Sequence, residues 1–206
     1  MNLFSTFTKK PAPKKPVVVI SGLPRSGTSM MMKMVVEGGL EAIADGIRHA
    51  DEDNPNGYYE LEIVKQLPQG DFSWLTEASG KAVKVISSLL EYLPQEYSYK
   101  IIFMEREIEE ILASQHKMLI HRDEESQVDD DTMKQEFQTH LSSVKAWLVR
   151  QPNIEVLYIN FNSLVADPFS SCGLVSDFIG VPMNTENMVA VPSKKLYRNR
   201  LSTESN

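Results

Sequence analysis

Val17–Ser29 reads VVVISGLPRSGTS, and the reading of this stretch decides the fold. Val17–Ser21 is a short β-branched run bounded by Pro16 and Gly22, the pattern of a strand buried on both faces of a parallel sheet. Thr28–Gly38 then reads as a methionine-rich helix closed by Gly38-Gly39. A strand that feeds a glycine loop into a helix aims several backbone N–H groups at one point. The helix dipole adds positive potential there, so an anion is the natural occupant. Arg25 and the hydroxyls of Ser26, Thr28 and Ser29 complete such a cradle. The loop departs from that of a nucleoside triphosphatase, which needs a lysine after its second glycine to reach the β/γ-phosphates. Here that position is Thr28, and the only cation in the loop is Arg25. The plainer alternative is a tight strand-to-helix turn that holds no ligand.

Alternating strands and helices continue along the chain. Ala82–Ile86, Ile101–Glu105 and Ile154–Ile159 read as further strands, and Leu89–Leu93 as a short helical link ended by Pro94. Glu107 to about His121 has the spacing of an amphipathic helix. An acidic loop, Arg122–Asp131, leads into a second long helix that runs to Arg150. Pro168–Ile179 is a helix capped by Asp167 and stopped by Gly180. Asp45–Tyr58 reads as a long loop, and Val181–Asn206 as irregular and polar. Strands separated by helices imply parallel pairing with right-handed crossovers. The fold class is therefore α/β, a three-layer P-loop-type fold with a central parallel sheet flanked by helices. Residues 1–15 are expected to form a flexible basic arm, and 16–206 a single domain.

Composition narrows the partners. With 206 residues, 42% of them apolar, the chain supports one packed core, and no apolar run reaches membrane-spanning length. Stable membrane insertion is not expected. The opening MNLFSTFTKKPAPKKP lacks the continuous apolar segment of a signal peptide. A single cysteine, Cys172, excludes an internal disulfide and a cysteine-rich metal site, so a cytoplasmic compartment is the expectation. The net charge of −7 argues against nucleic acid as the main partner, because phosphate contacts need clustered cations.

A second feature narrows the ligand. The strand Ile101–Glu105 runs into Arg106, at the carboxyl end where open α/β sheets bind ligands. Ser114 follows about two helical turns later. Taken alone, Arg106 also reads as an ion-pair partner of Glu109 or Glu110. A kinase would want an acid at a strand end to organise Mg²⁺, and the candidate ends supply only Glu105.

With these residues the chain resembles the sulfotransferase superfamily. GLPRSGTS (22–29) is similar to that family's 5′-phosphosulfate loop, in the PRSGT form of bacterial and tyrosylprotein-type members. Arg106 and Ser114, within FMEREIEEILAS, are similar to its 3′-phosphate motif in residue type and spacing. NPNGYYE, KVISSLLEYLP, EVLYINFNSLVADP and a terminal LYRNR extend the resemblance over most of the chain. The resemblance implies 3′-phosphoadenosine 5′-phosphosulfate (PAPS) as co-substrate and the bisphosphate PAP as product, with SO₃ passed to a hydroxyl or amine. It implies that Pro24, Arg25, Ser26, Gly27, Thr28 and Ser29 hold the 5′ end of the donor, and Arg106 and Ser114 the 3′-phosphate. No metal is required on this reading. The sulfuryl group bears one negative charge where a terminal phosphoryl bears about two, so less charge has to be neutralised. Arg25 would stabilise the bridging oxygen, and Lys84 would approach the reacting oxygens from its strand end.

Two family features are missing. The histidine of a KTHLP-like stretch is replaced by Ile86, so a general base has to come from elsewhere. Glu60 is the first candidate, with Glu62, His49 and Asp51 competing. The RKGxxGxWK nucleotide clamp is also absent, and Tyr197, Arg198 and Arg200 are candidates to replace it. Met30, Met31, Met32 and Met34 read as adaptable core packing. The loops Asp45–Tyr58 and Arg122–Asp131 would shape the pocket of a small-molecule or glycan acceptor, and a homodimer is compatible with the sequence. Two rival readings stay open: a P-loop small-molecule kinase, and a non-catalytic PAPS/PAP-binding protein.

Overall fold

Val17–Gly22 forms strand β1, and all of its residues are buried in the computed structural model. The structure describes residues 15–47, 57–121, 123–124 and 128–192. β1 is flanked on one side by β2 (Ala82–Lys84) and on the other by β3 (Tyr99–Glu105), beyond which lies β4 (Ile154–Asn160). The order is β2-β1-β3-β4, and all three pairings are parallel. An inner strand of a parallel sheet meets apolar layers on both faces. That is why β1 shows an unbroken apolar run and not an alternation. β4, at the edge, is partly exposed along most of its length and carries Glu155.

One face of the sheet packs Val18, Ile20, Ile102 and Met104 against helices α1 (Thr28–Glu37), α4 (Phe161–Ala166), α5 (Pro168–Ile179) and α6 (Thr185–Ala190). Met31, Met32 and Met34 are fully buried in this layer, and Met30 nearly so. The opposite face packs Val17, Val19, Ile101 and Phe103 against the 3₁₀ segments Glu62–Gln69, Ser73–Thr76 and Ser87–Tyr92 and against Leu148 of α3 (Asp130–Leu148). Helix α2 (Ile108–His121) connects β3 towards α3.

The α/β class and the parallel sheet agree with the sequence reading, while several elements differ from it. β2 ends at Lys84 and not Ile86, because the chain turns into the 3₁₀ segment that begins at Ser87. The link placed at Leu89–Leu93 is that 3₁₀ segment. Val181–Asn206 is not irregular throughout, since α6 lies within it, capped by Asn184 and anchored by the fully buried Met188. After Asn160 the chain leaves the sheet as α4, because the Asn160 side chain accepts the Ser163 N–H at 2.9 Å and starts a helix. The Asp167 cap and the Gly180 stop of α5 are present. Residues 1–14 of the arm expected over 1–15, most of the 45–58 loop and the tail from 193 lie outside the described residues.

Candidate active site

In the strand order, β1 sits between its sequence neighbour β2 on one side and β3 on the other, and open parallel sheets form a crevice at such a point. The glycine loop leaves the carboxyl end of β1, and Arg106 leaves that of β3, so the two border one crevice.

The loop's conformation is fixed by close packing. Gly22 has φ +145°, and a Cβ there would lie 2.6 Å from both the Met104 carbonyl oxygen and Ser26 Oγ. Gly27 has φ +101°, and its Cβ would lie 2.5 Å from Cδ2 of Phe161. Both glycines are thus demanded by the protein's own walls as well as by backbone geometry. Arg25 adopts φ 70°, a left-handed conformation uncommon outside glycine. Ser26 is fully buried, and its hydroxyl donates to the Leu23 carbonyl at 2.7 Å, closing the turn. Thr28 is buried too, whereas Ser29 is partly accessible and Pro24 is exposed. Among the described residues no side chain caps α1 and no acid lies in its first turn, so the positive end of the helix is not neutralised by its own first turn.

Arg25 is tied at two points to the segment that follows β3. Its Nε donates to Ser114 Oγ at 3.0 Å, and its main-chain carbonyl accepts from Arg106 Nη1 at 3.1 Å. Arg106 is only 7% exposed. Its Nε donates to Glu110 Oε2 at 2.9 Å, and its guanidinium lies 4.3 Å from the centroid of the Phe161 ring. The ion pair with Glu110 raised by the sequence is therefore present, and it is buried at the loop. Glu110, 2% exposed, accepts a second bond from Asn162 Nδ2 at 3.1 Å. Asn162 Oδ1 is buried with no partner among the described residues.

On the β2 side, Lys84 spans the loop and the segment after the long loop. Its Nζ donates to Ser29 Oγ at 3.2 Å and to the Tyr58 carbonyl at 2.9 Å, and lies 3.6 Å from Glu60 Oε1. With its side chain 10% exposed, this lysine is not a surface snorkel. Glu60 is held by its backbone. The Asp45 N–H donates to the Glu60 carbonyl at 3.1 Å, and the Asp45 carboxylate accepts the Glu62 N–H at 2.6 Å. The hydrogen bonds from the Glu62 and Ile47 N–H groups hold the Asp45 carboxyl below its usual range. Tyr59, just before Glu60, has φ 50° and packs into the α1 layer, where burial raises its phenol. The Glu62 carboxylate pairs with Lys65 at 2.7 Å.

A cavity of about 400 Å³ opens between the strand ends, α2 and α3. It reaches the loop at Leu23 and Ser26, is bordered by Arg106, Lys145 and Asn160, and is not lined by Lys84 or Glu60. Lys145 pairs with Glu105 and Lys134 with Glu109 along this wall, so Glu105 serves as a lysine partner. His49, Asp51, Tyr197, Arg198 and Arg200 lie outside the described residues. No three His, Cys, Asp or Glu side chains converge as a metal-ligand set among the described residues. The sequence reading missed Phe161 and Asn162. Both follow the strand read at Ile154–Ile159, in a stretch given no element of its own, and the Asn160 cap was the available signal of a helix start.

The model of the sulfotransferase domain family matches residues 15–199. Among solved structures, the sulfotransferase domain from the Synechococcus PCC 7002 olefin synthase superposes with a TM-score of 0.55 at 14% identity, covering 92% of this chain and 81% of that one. The sulfotransferase domain from the curacin biosynthetic pathway gives 0.52 at 12% identity, over 88% and 79%. Mouse sulfotransferase SULT7A1, complexed with PAP, gives 0.53 at 14% identity, over 93% and 68%. At these identities the likeness is one of fold. Among curated proteins no sequence match is found.

Proposed function

Because the chain belongs to the sulfotransferase domain family, we propose that it moves a sulfuryl group from PAPS to a hydroxyl or amine of a small-molecule or glycan acceptor. The observation that carries this reading is Lys84. Its ammonium bridges Ser29, in the first turn of the loop helix, and the Glu60 carboxylate, so a phosphate-type cradle and a candidate base face one point. The complex of the mouse structure with PAP supports the donor class.

The residues present suit that donor. The uncapped end of α1, Ser29 and Arg25 would hold the 5′-phosphosulfate, and Arg106 with Ser114 the 3′-phosphate. Bound PAPS supplies the sulfuryl group and, as leaving group, the 5′-phosphate oxygen. Arg25 and Lys84 are cations placed to offset charge growing on that oxygen. Glu60 takes the acceptor proton as the new S–O or S–N bond forms. No divalent ion is assigned a role, because the single charge of a sulfuryl group leaves two neighbouring cations enough to do.

The test is transfer of label from ³⁵S-labelled PAPS to a broad panel of hydroxyl and amine acceptors, with PAP binding measured alongside. Labelled product supports the enzyme. PAP binding without transfer to any acceptor would make the protein a nucleotide-binding relative. Mg²⁺-dependent ATP turnover would return the kinase reading.

A further inference from the structure

We infer that Glu110 is a positioning residue for anion recognition: it aims the Arg106 guanidinium at the crevice and does so jointly with Asn162. This rests on the reading above that Arg106 meets the donor's 3′-phosphate.

A carboxylate that is 2% exposed beside a would-be phosphate site is a costly thing to keep. Its charge repels the ligand, and its field cancels part of the arginine's. Electrostatics alone would favour a neutral side chain here. The geometry gives the carboxylate another task. Arg106 sits at the last turn out of β3, where its long side chain has several rotamers of similar energy. Among the described residues, three contacts favour one of them. Glu110 Oε2 takes Nε, Phe161 supports the guanidinium face at 4.3 Å, and the Arg25 carbonyl takes Nη1. The first contact is the only one of the three in which both partners carry a charge, and charge-assisted bonds are roughly twice as strong as neutral ones. Glu110 is itself oriented, because Asn162 Nδ2 holds the other carboxylate oxygen at 3.1 Å. Asn162 comes from α4, Glu110 from α2 and Arg106 from the end of β3, so three separate elements converge on one guanidinium.

The buried, unpartnered Asn162 Oδ1 sharpens the test. An E110Q amide keeps an oxygen for Arg106 Nε and offers an N–H₂ group that Asn162 Oδ1 can accept once that amide turns over. E110Q therefore preserves the positioning and removes only the charge. E110A removes both.

The readout is the ratio of dissociation constants for adenosine 5′-monophosphate and PAP, measured by calorimetric titration of the full chain. The two ligands differ at the 3′-phosphate, so the ratio isolates that contact. Positioning by Glu110 predicts that E110A lowers the ratio about tenfold or more, with AMP affinity held within about twofold. Such a loss corresponds to one misplaced charge-assisted hydrogen bond. E110Q keeps the ratio within about threefold of wild type or raises it. Asn162→Ala, a milder change that folds more readily, lowers the ratio about threefold. A ratio that rises in E110A would show a carboxylate acting only through its charge and would overturn the inference. Equal losses for the two nucleotides, or an unchanged ratio in both E110A and Asn162→Ala, would overturn it too. A wild-type ratio near one would instead bring down the donor reading on which the inference rests.

Discussion

Replacing Gly27 by alanine tests the account of the loop most directly. At φ +101° an L side chain is strained, at roughly 1–3 kcal/mol. The added Cβ would also sit 2.5 Å from Phe161 Cδ2, well inside contact distance. Phe161 is 6% exposed and carries the Arg106 guanidinium on its ring, so it has little freedom to retreat. Overpacking of this kind adds about 1–3 kcal/mol. A central total of about 4 kcal/mol, at about 2–4 °C per kcal/mol for a domain of this size, lowers Tm by roughly 8–16 °C. The steric part is separable from the backbone part. In a Phe161→Leu background, Gly27→Ala should cost about 1–3 kcal/mol less than in wild type, while the strain remains. Urea denaturation of the four proteins in that cycle gives the coupling. A Gly27→Ala protein as stable as wild type, or one whose cost is unaltered by Phe161→Leu, would refute the claim that the loop is shaped by this contact.

Glu60→Gln should lower kcat by roughly 10²–10⁴ while PAP affinity is preserved, measured by label transfer and calorimetry; turnover near wild type would remove Glu60 as the base. Arg106→Ala should weaken PAP about 30- to 1000-fold and AMP little, since one arginine makes up to two charge-assisted bonds to a phosphate. Excess chelator should leave turnover within about twofold, and a full loss restored by Mg²⁺ would contradict the metal-free mechanism. Cys172 is fully buried, and burial pushes its thiol up to about 11 from 9.0. It should resist thiol reagents at pH 8 until the chain is unfolded. Because the raised value belongs to the folded state, its contribution to stability is complete below pH 9 and is lost as the pH climbs towards 11, which a pH series of denaturation midpoints would register.

What the sequence disclosed was whatever local pattern controls. The β1 run, the glycine loop and the Asp167 cap depend on neighbours in the chain, and each appears where its residues put it. The 3₁₀ segments Glu62–Gln69 and Ser73–Thr76 were not read from the sequence, because contacts distant in the chain place them. They are held by packing of Val64, Leu67 and Trp74 against the far face of the sheet. At the site, residue types and spacing pointed to Arg25, Arg106 and Ser114 and the family resemblance added Lys84, while their partners stayed hidden. The bond from Arg106 to the Arg25 carbonyl joins positions 81 residues apart, and that from Asn162 to Glu110 joins positions 52 apart. Periodicity carries no information at such separations. The Lys84–Ser29 contact was hidden for the same reason.

The two layers that sandwich the sheet differ in one further respect. The chain has two tryptophans, and both Trp74 and Trp147 lie in the layer with the 3₁₀ segments and α3. The layer that carries α1 is built around methionines instead. Intrinsic fluorescence of this protein is consequently a one-sided signal. It follows loosening of the α3 layer and is nearly silent to movements of the helix behind the glycine loop. A fluorescence melt and a melt followed by a probe in the methionine layer would coincide only if both layers come apart together, so the pair of curves measures cooperativity across the sheet.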